Sequence, residues 1–149
     1  MKELKISAIK DGTVIDHLPP KYALQIAKIL QLENLDSVIS VATNLQSKKQ
    51  EKKGIIKIGD KFLTEKEVNK IALIAPYATL NIIKGYKVIE KKKIKIPELI
   101  KDIVKCFNPN CITDAEKVKT KFYVVSTSPL KLKCNYCERG MGSENITLL

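Results

Sequence analysis

The sequence predicts an α+β protein in two units. The first is a ferredoxin-like βαββαβ antiparallel sheet with two helices on one face; the second is a small cysteine-rich β domain. Three observations predict it. Two amphipathic helical stripes alternate with β-prone runs in the order strand, helix, strand, strand, helix, strand, with one extra terminal strand. The composition changes character after residue 93, in the lysine run EKKKIKIP. All four cysteines fall beyond residue 104, in two close pairs.

The elements follow in order. LKISAI (4–9) alternates apolar and polar residues, and Asp11-Gly12 is a turn signal. Thr13 to Ile15 is a second β-prone piece. KYALQIAKIL puts Tyr22, Ala23, Ile26, Ala27, Ile29 and Leu30 on one helical stripe, and Pro20 suits its first turn. Ser37 to Leu45 is β-rich; the charged SKKQEKKG after it reads as a loop that packs nothing. Ile55 to Leu63 reads as a strand bent at Gly59-Asp60. Thr64-Glu65-Lys66-Glu67 is a capping box opening a helix with Val68, Ile71, Ala72 and Ala75 inward, stopped by Pro76. Ala78 to Glu90 reads as a strand pair broken at Lys84-Gly85.

These patterns divide the chain into 1–93, a linker and hinge helix at 94–104, and 105–149. The last is too short to rely on an apolar core alone. Its cysteines are spaced Cys106-x4-Cys111 and Cys134-x2-Cys137, separated by 22 residues. Two close pairs brought together by a loop are what tetrahedral Zn(II) takes, each knuckle giving two thiolates. Disulfides would need an oxidising compartment, and the spacing does not match the ferredoxin cluster runs. Four protein ligands close the coordination shell, so one structural zinc per chain is expected. Lys105, Lys131, Lys133 and Arg139 stand beside the ligands and can offset the −2 charge of a four-thiolate zinc centre.

With 27 basic against 16 acidic side chains the formal net charge is +11. That excess suits a polyanionic partner, so a basic zinc-ribbon protein binding nucleic acid is the alternative reading. Arg139 is the only arginine, and bidentate phosphate or base recognition favours arginine; nucleic acid is therefore the weaker reading. No apolar run approaches a membrane span, and MKELKISAIK lacks the apolar core of a secretory signal, so a cytoplasmic location is expected.

No G-x-S-x-G, P-loop or G-x-G-x-x-G is present. His17 is the only histidine, and neighbours on a regular strand face opposite ways, which argues against Asp16 orienting it for catalysis. A polar strand end and a ligand-binding pair both remain. If the chain leaves regular strand geometry before Pro19, both side chains can reach one ligand, with Lys57 and Lys91 completing an anion site.

GTVIDH (12–17), LIAPYATLNIIKGYKV (73–88), and C-x4-C around NPNCI followed by LKCNYCE appear in the order in which they occur in one family. Over essentially its whole length the chain resembles the regulatory chain of aspartate carbamoyltransferase. The resemblance implies a non-catalytic allosteric subunit binding CTP as inhibitor and ATP as activator at one N-terminal site. It implies Asp16 and Lys57 at the ribose, His17 and Lys91 at the triphosphate, and Ala8, Ile9, Tyr86 and Val88 around the base, with Asn81 and Ile83 beside it. Lys53 and Asn44 fall where the family has further phosphate contacts. Also implied are a homodimer of regulatory chains, a catalytic chain docked on the zinc domain, and an assembly of two catalytic trimers bridged by three regulatory dimers in pyrimidine biosynthesis.

Overall fold

The computed structural model describes residues 8–48 and 51–149. It divides into two compact units, Met1–Lys95 and Ile96–Leu149. The first holds β1 (Gly12–Leu18), α1 (Ala23–Ile29), β2 (Ile39–Gln46), β3 (Lys52–Gly59), α2 (Glu65–Ile74), β4 (Thr79–Lys84) and β5 (Lys87–Lys93). The sheet order is β2-β3-β1-β4-β5, antiparallel throughout. This is the βαββαβ fold with β5 added beside β4. The expected strand at 4–9 lies mostly outside the described residues, and Ala8 and Ile9 are not in a strand.

Ile15, Leu18, Ile56, Ile58, Leu80, Ala23, Ile26, Ile71 and Ala72 are buried together between sheet and helices. Complete burial of each large aliphatic side chain contributes about 1.5–3 kcal/mol. The stripe at 22–30 forms only a short α1, preceded by a 3-10 turn at Pro20–Tyr22. Thr64 accepts the Glu67 N–H at 3.2 Å while Glu67 accepts the Thr64 N–H at 3.0 Å, so the capping box opens α2 as its sequence required.

Two expectations are corrected. SKKQEKKG is not wholly a loop: β3 begins at Lys52, Lys53 bonds to Asp16, and Gly54 lies against α1. A Cβ on Gly54 would come within 2.8 Å of the Ala23 Cβ, so glycine allows the helix its approach. No helix forms at 94–104 either. Leu99–Lys101 is β6 and Val104–Lys105 is β7, because Ile100, Ile103 and Val104 are drawn into the core of the second unit as extended chain.

That unit continues with α3 (Ile112–Ala115), β8 (Lys121–Thr127), β9 (Leu130–Cys134), β10 (Gly140–Gly142) and β11 (Thr147–Leu148). A four-stranded sheet runs β10-β9-β8-β6, and β11 pairs with β7. Fully buried Phe122 sits opposite Cys134 on β9 and Ile100 on β6, tying the small core to the cysteines. No described helix is long and apolar enough to cross a membrane.

Candidate functional site

The second unit brings Cys106, Cys111, Cys134 and Cys137 together, with all sulfurs within 4.8 Å of one another. Cys106 Sγ and Cys137 Sγ are 3.7 Å apart, as are Cys111 Sγ and Cys134 Sγ. A disulfide needs about 2.05 Å. The edge of a tetrahedron with metal–sulfur bonds of about 2.3 Å is about 3.8 Å, so the donor set fits a four-thiolate metal centre.

Local turns build this geometry. Asn108 Oδ1 accepts the Asn110 N–H at 3.1 Å and the Cys111 N–H bonds to the Asn108 carbonyl at 3.0 Å, folding the first knuckle around Pro109. In the second, the Cys134 N–H bonds to the Arg139 carbonyl and the Glu138 N–H to the Cys134 carbonyl, each at 3.0 Å. Burial pushes the Cys106 and Cys134 thiols up. Burial also acts on Cys137, but the Arg139 N–H, the Asn108 side chain and neighbouring thiols outweigh it and bring that thiol to about 7. Cys137 thus ionises more readily than Cys106 or Cys134, and metal coordination takes place through thiolates. Thr113 Oγ1 donates to Cys111 Sγ at 3.2 Å, a support that spacing alone did not reveal.

In the first unit the second candidate site arises from a bulge. Ile15 and Leu18 are both fully buried on the helix side, yet two residues separate them where regular alternation allows one. Asp16 and His17 therefore share the opposite face, with His17 at φ 58°. Asp16 pairs with Lys53 Nζ at 2.8 Å, and His17 Nδ1 lies 2.9 Å from Thr79 Oγ1. Burial alone would raise the Asp16 carboxyl, but the Lys53 ammonium and the His17 N–H hold it below the usual carboxylate value.

The register assigns the remaining residues. Lys57 stands opposite Val14, Val14 opposite Asn81, and Asn81 opposite Lys91, forming one row across the face away from the helices. Val14, Ile55 and Ile83 form an apolar floor on this face, with Ile9, Ala42 and Leu45 packed against it. Val88 pairs with Ile83, Tyr86 is exposed at the β4–β5 turn, and Ala8 is exposed before β1. Asn44, at φ 63°, sits in a bulge of β2. The Asn81 Oδ1 is buried without a hydrogen-bond partner among the described residues, an unused acceptor within the row. The Lys53 and Thr79 contacts had no local sequence signal, since each spans more than thirty residues.

Two family models match the chain: the aspartate carbamoyltransferase regulatory chain allosteric domain over residues 4–95, and the metal binding domain of that regulatory chain over residues 98–147. The chain belongs to the aspartate carbamoyltransferase regulatory chain family. The regulatory chain of Pyrococcus horikoshii is 57% identical over 148 residues, covering 98% of this chain and 97% of that protein. The Pyrococcus furiosus chain is 55% identical over 148 residues, with the same two coverages. The Bacteroides fragilis chain is 45% identical over 146 residues, covering 98% and 95%. An aspartate carbamoyltransferase regulatory chain is a non-catalytic subunit, and its membership in the complex implies a catalytic chain as partner. The allosteric domain match spans the bulged sheet, and the metal binding domain match spans the four cysteines.

Proposed function

We propose that the outer face of the first unit's sheet binds CTP and ATP competitively, and that the metal-bound second unit passes the effect to the catalytic chain. The observation that carries this reading is the row Lys57–Val14–Asn81–Lys91 beside the bulged Asp16-His17 pair. Lysines over an apolar floor suit a polyphosphate joined to a flat base. On this reading Asp16 and Lys57 meet the ribose, and His17, Lys91 and Lys53 meet the phosphates. Ala8, Ile9, Tyr86 and Val88 line the base end, with Asn81 and Ile83 beside it.

The metal is Zn(II), one per chain, held by Cys106, Cys111, Cys134 and Cys137; when bound it supplies structural cross-linking of the two knuckles. The regulatory chains dimerise and three dimers bridge two catalytic trimers, with the zinc unit docking on the catalytic chain. The complex works in the cytoplasm, in pyrimidine biosynthesis. Titration calorimetry on the full chain tests the ligand reading: CTP and ATP compete for one site, and Lys91→Ala weakens both. Absence of saturable binding by either nucleotide overturns it.

A further inference from the structure

The β4–β5 connection is a two-residue hairpin loop closed by the Lys84–Lys87 pair, with Gly85 at φ 59° and Tyr86 at φ 64°. Both residues being left-handed makes this the type I′ geometry, and a non-glycine residue adopts it only at some cost. The two turn N–H groups of such a loop point away from the hairpin's own ladder and ordinarily face water. Here both are captured by the chain entering β1. The Tyr86 N–H donates to the Lys10 carbonyl at 2.9 Å, and the Gly85 N–H donates to Asp11 Oδ1 at 3.1 Å.

Asp11 is also fixed from the other side. Its carbonyl accepts the Asp60 N–H at 2.9 Å, beyond the end of β3. The next residue, Gly12, pairs with both Gly59 and Ile83, so Asp11 sits at the head of the central strand. Its backbone is anchored to the β3 end and its side chain reaches the β4–β5 turn. The residues flanking this link, Ile9 ahead of β1 and Tyr86 in the β4–β5 turn, are two of the walls assigned above to the base.

We infer that Asp11 is a positioning residue for base discrimination: its carboxylate latches the β4–β5 turn to the 9–11 segment and so sets the gap between the two walls. The inference rests on the nucleotide reading proposed above. Ribose and triphosphate are common to CTP and ATP, so lysines on the sheet face cannot tell them apart. A pyrimidine and a purine differ in width and in the positions of their ring donors and acceptors. Discrimination therefore depends on how rigidly the backbone groups near Ile9 and Tyr86 are held. Asp11 touches no ligand in this scheme and acts through the turn.

The test measures CTP, ATP and inorganic triphosphate binding by calorimetry on the full-length, metal-loaded chain and its Asp11→Ala and Asp11→Asn variants. Asparagine keeps an Oδ1 acceptor and removes the charge; alanine removes both. In Asp11→Ala the ratio of the two nucleotide dissociation constants changes by about threefold to tenfold, the factor one hydrogen bond of ordinary net worth can move. Triphosphate affinity stays within about twofold, since the changed bond is not one to phosphate. Asp11→Asn keeps the parent ratio. Amide exchange at Gly85 and Tyr86 accelerates in Asp11→Ala and not in Asp11→Asn. If the parent binds neither nucleotide, the ligand reading fails and takes this inference with it. If the parent binds both and Asp11→Ala keeps the parent ratio, the latch alone is refuted. Equal loss of discrimination in both variants also refutes the latch, because charge would then be responsible.

Discussion

Replacing Lys53 by methionine removes the positive partner of Asp16 while keeping most of the apolar stem. The pair is close, at 2.8 Å, and both side chains are largely enclosed, with 20% and 16% of their surface exposed. An exposed ion pair contributes up to about 1 kcal/mol, and a fully buried charge stripped of its partner costs about 3–5 kcal/mol. This pair lies between those limits, so Lys53→Met should destabilise the first unit by about 2 kcal/mol at neutral pH. The sign with pH follows from the depressed Asp16 carboxyl. In the parent, its contribution is complete above the unfolded value of about 3.9 and is lost as pH falls through the folded value. Without Lys53 that carboxyl loses its strongest lowering partner and moves up from its parent value, so the gap between parent and variant is greatest at neutral pH and narrows in acid. Urea unfolding followed by circular dichroism between pH 7 and pH 3, with carboxyl titration by NMR, measures both. A parent–variant gap that stays constant down to pH 3, or an Asp16 carboxyl unmoved by the substitution, would show that the pair does not stabilise the bulge.

Gly54→Ala places a Cβ within 2.8 Å of Ala23, which belongs to a helix and cannot rotate away. Thermal unfolding should show a loss of about 1–3 kcal/mol, the usual cost of overpacking. Thr64→Ala removes the α2 cap, for a loss of about 1 kcal/mol by the same measurement, with nucleotide affinity unchanged. Cys111→Ser should abolish stoichiometric metal, read by elemental analysis, and collapse the NMR dispersion of residues 96–149 while sparing that of the first unit. Retention of both metal and dispersion would mean that three thiolates suffice.

The order of strands and helices in the first unit, the capping box and the cysteine knuckles are legible because each is a local pattern: a period, a cap, or a spacing. The Thr64–Glu67 cap needs only three residues of context. The strands at 99–105 carry no clear local signal, because a short amphipathic run beside Pro97 fits a helical stripe as well as a strand. Pairing with β8 and β11 decided it, and those partners lie far along the chain. Lys53 was hidden for a related reason. It stands in a lysine-rich run whose other members suit a solvated loop, and only the β1 bulge brings Asp16 to it.

The bulge also has a physical reason, because it keeps Asp16 and His17 on one face. On an unbroken strand one of the two would be driven to the helix side, where Ile15 and Leu18 leave no polar partner. The extra residue keeps both polar groups on the outer face, at the cost of a left-handed histidine whose ring is held by Thr79. A strained, polar, doubly anchored pair beside a row ended by Lys57 and Lys91 is poor design for stability alone. It is good design for a surface that must present fixed acceptors and cations to a ligand. Under the proposed reading the face need supply only a modest difference in affinity between two states of the complex. A coupling of about 1–3 kcal/mol changes an equilibrium by roughly 5–150-fold, and linkage requires that the complex's state alter nucleotide affinity by the same factor. Nucleotide affinity measured with and without the bound catalytic chain is therefore as direct a measure of regulation as the rate of catalysis.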